Sequence, residues 1–149
     1  MIAKIISGGQ TGVDRAALDV ALELGIPCGG WCPKGRKAED GPLSERYPLT
    51  ETSSPFYAHR TRCNVSDSDG TLVLTRGQAR GGTELTIKLA GRYRKPCLVV
   101  DLSTPPETSA AKQWVKAQRV RVLNVAGPRE SEQPGIYAQA VEFLRQILS

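Results

Sequence analysis

The chain has 149 residues, 40% of them hydrophobic and 23% charged, and its 20 Lys plus Arg outweigh 15 Asp plus Glu to leave a net charge of +5. A domain of this size removes roughly 68–70% of its unfolded surface on folding, and the composition is that of a folded globular chain. Apolar runs such as Cys97–Val100 fall far short of the ~18 residues of a membrane span, 5% aromatic content is too little for a base-stacking platform, and no long basic run marks a nucleic-acid arm.

The N-terminus enters a strand-like run without the charged, apolar and cleavage regions of a signal peptide. The expectation is one ligand-binding domain over residues 1–149, cytoplasmic, with no membrane or nucleic-acid partner.

Strand-like and helix-like segments alternate along the chain, the pattern of a parallel sheet covered by helices on both faces. Ile2–Ser7 is the first strand. It leads through Gly8-Gly9-Gln10-Thr11-Gly12 into a helix from Val13 to Leu24 with Ala17, Leu18, Ala21, Leu22 and Leu24 on its apolar face. Thr11 and Asp14 resemble a capping box, and Gly25 stops the helix. Ile26–Gly30 is a short second strand. Residues 31–55, rich in Gly, Pro and charge, are too long for an ordinary loop and carry either a function or structure of their own.

A helix over Phe56–Ser66 precedes a buried third strand, Gly70–Thr75. Residues 76–82 then lead to a helix capped by Thr83 and ending near Arg92. Pro96–Leu102 is the fourth strand, Ser109–Ala117 a helix and Val120–Val125 the fifth strand. The last helix starts near Pro134 and buries Ile136, Ala140, Phe143, Leu144 and Ile147. The fold class is α/β, a Rossmann-like doubly wound parallel sheet of about five strands with helices on both faces. Short crossovers favour the strand order 2-1-3-4-5; a Rossmann-type order with an added strand over Tyr47–Thr52 is the alternative.

In such a sheet the ligand crevice lies beyond the carboxyl ends of the strands. After the first strand come Ser7, Gly8, Gly9, Gln10, Thr11 and Gly12, then Asp14 and Arg15. After the second come Lys34, Gly35, Arg36 and Lys37; after the third, Thr75, Arg76, Arg80, Gly81, Gly82 and Thr83; after the fifth, Gly127, Pro128 and Arg129. Glycines and basic side chains thus share one rim. Two glycine turns open helices there, and unpaired backbone N–H groups at a helix start suit a phosphate or similar oxyanion, to which Arg adds bidentate contacts. The same glycines also serve simply to turn the chain. Thr11, Asp14 and Glu84 either orient neutral ligand groups or serve the helix ends.

Other chemistries find little support. The first glycine loop lacks the Gly-Lys-Ser/Thr ending of a P-loop and the full GxGxxG spacing, and the second strand ends in Gly30 and Trp31 instead of an acidic residue, which disfavours NAD. Cys28, Cys32, Cys63 and Cys97 have no paired CxxC spacing and there is one His, so neither a structural metal nor a disulfide framework is expected. No Ser or Cys stands near a His as a nucleophile dyad. His59 reads as a partly exposed helix residue. Cys32, beside Pro33 and Lys34, is the one thiol that could meet a metal-bearing ligand, with burial as a small packed residue its other reading.

The segments Ser7–Leu43 (SGGQTGVDRAALDVALELGIPCGGWCPKGRKAEDGPL), Tyr47–Thr52 (YPLTET), Arg60–Gly77 (RTRCNVSDSDGTLVLTRG), Gly81–Thr86 (GGTELT) and Leu123–Tyr137 (LNVAGPRESEQPGIY) together resemble the molybdenum-carrier family, the molybdenum-cofactor carrier proteins and their bacterial relatives. The resemblance implies a Rossmann-like fold that binds the molybdenum cofactor, or an oxyanion, without converting it. It also implies a homo-oligomer, dimer or tetramer, and molybdoenzymes or cofactor-synthesis proteins as partners. A more distant likeness is to the cytokinin-activating phosphoribohydrolases, once labelled lysine decarboxylases. Arg60 stands at their matching distance before Asp69, and Gly82-Thr83 match their Gly-Thr. Their catalytic Glu would fall at Thr86, however, with Glu84 two positions early and on another side of the helix.

Two functions follow. The first is a binding protein: the backbone of Gly8–Gly12 and Gly81–Thr83 holds a phosphate, Lys34, Arg36, Arg76 and Arg80 supply charge, and the cargo is the molybdenum cofactor or a related anionic ligand. The second is hydrolysis of an N-glycosidic bond in a nucleoside 5′-monophosphate, with Glu84 or Asp14 as acid/base and Arg60 as electrophilic support. A nucleotide-sensing module differs from the first mainly in its ligand.

Overall fold

The computed structural model describes residues 1–149. In chain order the elements are β1 (Lys4–Ile6), α1 (Val13–Leu24), β2 (Cys28–Gly29), β3 (Trp31–Cys32), β4 (Thr50–Glu51), α2 (Tyr57–Asp67), β5 (Gly70–Thr75), α3 (Gly81–Arg92), β6 (Cys97–Asp101), α4 (Thr108–Ala117), β7 (Val122–Ala126) and α5 (Ile136–Leu148). No helix is long and apolar enough to cross a membrane.

Five strands form a parallel sheet in the order β2-β1-β7-β5-β6, in register at Ile5 with Cys28 and Leu123, and at Leu72 with Val125 and Leu98. Counted as the five predicted strands, the order is 2-1-5-3-4, which corrects the expected 2-1-3-4-5. The last strand enters the middle of the sheet, where Leu123 and Val125 are wholly buried; local periodicity marks a strand but not its slot. Counting instead from β7 through α5 to β1 recovers the 3-2-1-4-5 order of a Rossmann sheet. The added strand expected near Tyr47–Thr52 exists as β4 but pairs with β3 in a separate two-stranded sheet.

Right-handed crossovers sort the helices by the direction in which the chain moves along the sheet. α1 and α4 pack with α5, and α2 packs with α3. The first layer covers the apolar core: Ile5, Leu72, Leu74, Leu123 and Val125 from the sheet meet Ala17, Val20 and Ala21 of α1 and Ile136, Ala140, Phe143 and Leu144 of α5. In α1 the buried stripe takes in Val13, Ala16 and Val20, while Leu22 and Leu24, expected inside, are exposed. The other sheet face is different. Thr71 and Asn124 are buried there and hydrogen-bonded to each other at 3.2 Å, and the apolar cluster beneath α2 and α3 is only Val65, Leu89 and Ala90.

Helix starts also depart from the predicted caps. Gly12, at φ +78°, is the α1 N-cap, and Arg80, not Thr83, is that of α3; neither helix has a side-chain cap bond. Thr11 Oγ1 instead donates to Glu39 Oε1 at 2.6 Å and accepts from Glu130 N. Gly25 is left-handed at the α1 C-cap, as expected. Residues 31–55 carry a core of their own, in which Cys32, Ala38, Leu43, Tyr47 and Leu49 pack on Leu18.

Candidate functional site

β7 and β5 are neighbours in the sheet, yet the chain leaves β7 toward α5 and β5 toward α3, on opposite faces. Such a reversal opens a crevice beyond the strand ends. Here it is a cleft of about 90 Å³ between α2, α3 and the ends of β1 and β7. That volume holds several waters and is well below the ~300–1,000 Å³ of a pocket for a drug-sized ligand. Its scale is that of one tetrahedral anion.

Arg60 of α2 is the cation nearest the β1–α1 turn. Its Nη1 donates to Gly8 O at 2.7 Å and stands 3.6 Å from Asp14 Oδ2, while Nε donates to Thr61 Oγ1. A Cβ at residue 8 would collide with the guanidinium, so only glycine lets Arg60 lie against the turn. Asp14, in the first turn of α1, is 6% exposed and accepts from Gln10 N at 3.4 Å. Burial pushes its carboxyl from the ordinary 3.8 up to about 6, against the opposing pull of Arg60, the Gln10 N–H and Arg15. Its Oδ1 accepts no hydrogen bond from the protein.

Gln10 lines the cleft and is 3% exposed. Its Oε1 accepts from Thr11 N and Glu39 N, which fixes the amide orientation, but Nε2 is the one buried side-chain polar atom with no hydrogen-bond partner. Leaving such a donor unpaired costs about 1–3 kcal/mol. Opposite it, Gly82, Thr83 and Thr86 of α3 form another wall. Thr83 N and Glu84 N close back on Arg80 O, and the first-turn amides of Gly81 and Gly82 have no intrahelical acceptor. Nothing stands within 4 Å of the position a Cβ would take on either glycine, so an anion has access to the positive helix end. Tyr57, also in the lining, draws Lys37, Arg60 and Arg129 around its ring at 4.7, 5.3 and 5.5 Å.

Of the residues singled out from the sequence, the cleft brings together Gly8, Gln10, Asp14, Arg60, Gly82, Thr83, Gly127 and Arg129. Most of the expected basic rim is elsewhere, because its cations are held by protein acceptors. Arg15 pairs with both Asp40 oxygens and with Gly9 O; Arg76 donates to Gln139 Oε1 and Pro134 O. Arg36, at φ +54°, gives its guanidinium to the carbonyls of Leu43, Ser44, Tyr47 and Leu49, building the 31–55 segment. Lys34, Gly35 and Arg80 are exposed outside the cleft, and Gly35 N donates to Glu51 Oε1. Glu84 faces solvent and pairs with Lys88 at 2.9 Å.

The small residues of the first turn are mainly architectural. Ser7 Oγ donates to Asp14 O and accepts from Gly9 N. A side chain at Gly9 would strike Leu43 and Leu49, and one at Gly12 would collide with Pro128 O. Thr75 O accepts from Leu102 N at the edge of the apolar core. Cys32 is wholly buried in the second core with its thiol pushed up by burial, outside the cleft lining, which is the packed position of its other reading.

Sequence reasoning missed Tyr57, Thr61 and Asn64 of α2, together with Asn124 and Thr86, all of which line the cleft. Two signals could have found them. Tyr57, Arg60, Thr61 and Asn64 form a polar stripe at helical spacing, and Asn124 interrupts the apolar run of a central strand. Thr86, where the phosphoribohydrolase pattern has its Glu, turns its hydroxyl back to Gly82 O at 2.9 Å.

The model of the circularly permutated YpsA SLOG family matches residues 5–148. A crystal structure from Syntrophus aciditrophicus SB, described as a "putative molybdenum carrier protein", is 47% identical over 99% of this chain and 96% of that one, with a TM-score of 0.95. No curated protein matches the chain. The resemblance read from the sequence is therefore borne out, and the Rossmann order recovered by counting from β7 agrees with the family's permutation. With the match spanning nearly all its length, the chain belongs to the circularly permutated YpsA SLOG family.

Proposed function

We propose that the chain is a carrier that binds a small phosphorylated or oxyanionic ligand in this cleft, with the molybdenum cofactor as cargo held by its pterin phosphate and not converted. The observation that carries the reading is the buried Arg60 guanidinium in a cleft lined also by Gln10, whose buried Nε2 has no partner, and by the open start of α3. The name of the Syntrophus protein supports the molybdenum-related cargo. The donor set fits the phosphate: the lining supplies a guanidinium, an amide and backbone N–H groups. No Cys or His lines the cleft, so the metal would keep its own dithiolene ligands while the protein grips the phosphate. The cleft's volume of about 90 Å³ suits the phosphate, and the pterin would lie outside it. Cytoplasmic carriage, delivery to molybdoenzymes or cofactor-synthesis proteins, and a dimeric or tetrameric state belong to the same proposal.

The test is calorimetric titration of the protein with inorganic phosphate and with isolated molybdenum cofactor, alongside Arg60→Ala. Removing a charge-assisted contact worth about 1.5–3 kcal/mol weakens binding roughly 10- to 150-fold. Equal affinity in the variant, or no binding by the wild type, would overturn the reading. One observation favours a second reading: a buried carboxyl titrating near 6 beside Arg60 is also what acid/base chemistry needs. Incubation with AMP decides it, since hydrolysis must release free adenine.

A further inference from the structure

We propose that Asp14 is a specificity-determining residue: the cleft takes an anion that also presents an O–H or N–H donor to Asp14, and discriminates against bare oxyanions such as sulfate, molybdate and tungstate at mildly alkaline pH. The inference rests on the anion-binding reading above and narrows its ligand class.

The placement of the carboxylate carries it. Arg60, Gln10 and the α3 start line an anion site, yet Asp14 stands in the same lining with Oδ2 3.6 Å from the Arg60 guanidinium. In a cleft of this size, a bound anion meets an acceptor-only carboxylate at close range, and like charges so placed cost several kcal/mol unless a proton lies between them. Hydrogen phosphate brings that proton. Sulfate and molybdate have the same tetrahedral shape and the same charge as the phosphate dianion but carry no proton at neutral pH. A larger phosphorylated ligand can supply a hydroxyl or ring N–H instead.

The surroundings do not cancel this repulsion. Arg60 faces Asp14 from α2 and Arg15 from its own helix, but Arg15 is committed to Asp40. α3 contributes Gly82, Thr83, Leu85 and Thr86, all neutral, and the segment after β7 contributes Arg129, whose neighbour Glu132 is 3.7 Å away. With its carboxyl titrating near 6, Asp14 is ionised at pH 8 and half-protonated near pH 6.

The experiment is competition calorimetry of the full chain with phosphate, sulfate and molybdate between pH 6 and 8, with Asp14→Asn beside the wild type. Binding sulfate at pH 8 requires a proton taken up about two pH units above the carboxyl's own range, so sulfate and molybdate should bind roughly 100-fold more weakly than phosphate. Sulfate affinity should rise about tenfold for each pH unit toward 6. Asp14→Asn should bring sulfate up to the level of phosphate. The wild-type pH series carries the test alone if the variant does not fold. Sulfate or molybdate binding as tightly as phosphate to the wild type at pH 8 would overturn the inference and leave the anion site standing. No binding of any of the three at any pH would remove both.

Discussion

Replacing Asp14 by Asn should remove part of the protein's pH dependence of stability. The folded carboxyl titrates near 6 because burial disfavours its charge, whereas in the unfolded chain it titrates near 3.8. The folded state therefore holds this proton more tightly. The resulting stabilisation is complete below pH 4 and is lost as pH rises through 6. About two pH units at about 1.4 kcal/mol each give a total of about 3 kcal/mol, of which about 2 kcal/mol falls between pH 4.5 and 7.5. At 2–4 °C per kcal/mol for a chain of about this length, the melting temperatures of wild type and Asp14→Asn should move relative to each other by about 4–8 °C across that window, the variant gaining as pH rises. Other carboxylates, such as Asp69 and Asp40, are held below the usual range and act in the opposite direction, but both proteins share them. Thermal unfolding in buffers free of phosphate and sulfate makes the measurement. A constant difference between the two proteins from pH 4.5 to 7.5 would show that Asp14 is not a buried, strained carboxylate.

Three further outcomes follow from the packing. Arg36→Ala strips donors from four carbonyls in residues 43–49 and should lower stability by about 3–5 kcal/mol, read as a fall in the urea midpoint. Gly12→Ala forces a Cβ into Pro128 O at φ +78° and should cost more than the ~0.4–1 kcal/mol that an unstrained Gly→Ala replacement gains, checked the same way. Cys32→Ser buries a hydroxyl among Leu18, Leu43 and Leu49 and should cost about 1–3 kcal/mol; in the wild type, the Cys32 thiol should react with a thiol reagent only on unfolding.

The cleft also separates two kinds of arginine. Arg60 is 9% exposed and shared between Gly8 O and Asp14, so its charge acts at short range in low dielectric. Arg80 is exposed at the start of α3, where salt screens it. The net charge of +5 is thus a poor guide to the site: cations such as Arg15, Arg36 and Arg76 brace loops, and it is the buried Arg60 that meets the proposed anion.

What the sequence determined by itself is everything that depends on neighbours in the chain. The apolar period of Ile136, Ala140, Phe143 and Leu144, the all-buried run Gly70–Thr75 and the glycine turns at residues 8–12 and 81–82 are local patterns, and they mark the helices, the strands and the family. The tertiary structure alone decided what depends on contacts across the chain. β7 takes the slot between β1 and β5 because a strand buried on both faces gains most there, and no local signal encodes its partners. Arg36 and Arg60 both look like free cations in the sequence; one is used up by the carbonyls of its own loop, while the other is carried by α2 across to Gly8, 52 residues away. A side chain's function here is set by which acceptors the fold places within about 3 Å of it, and those acceptors are distant in sequence.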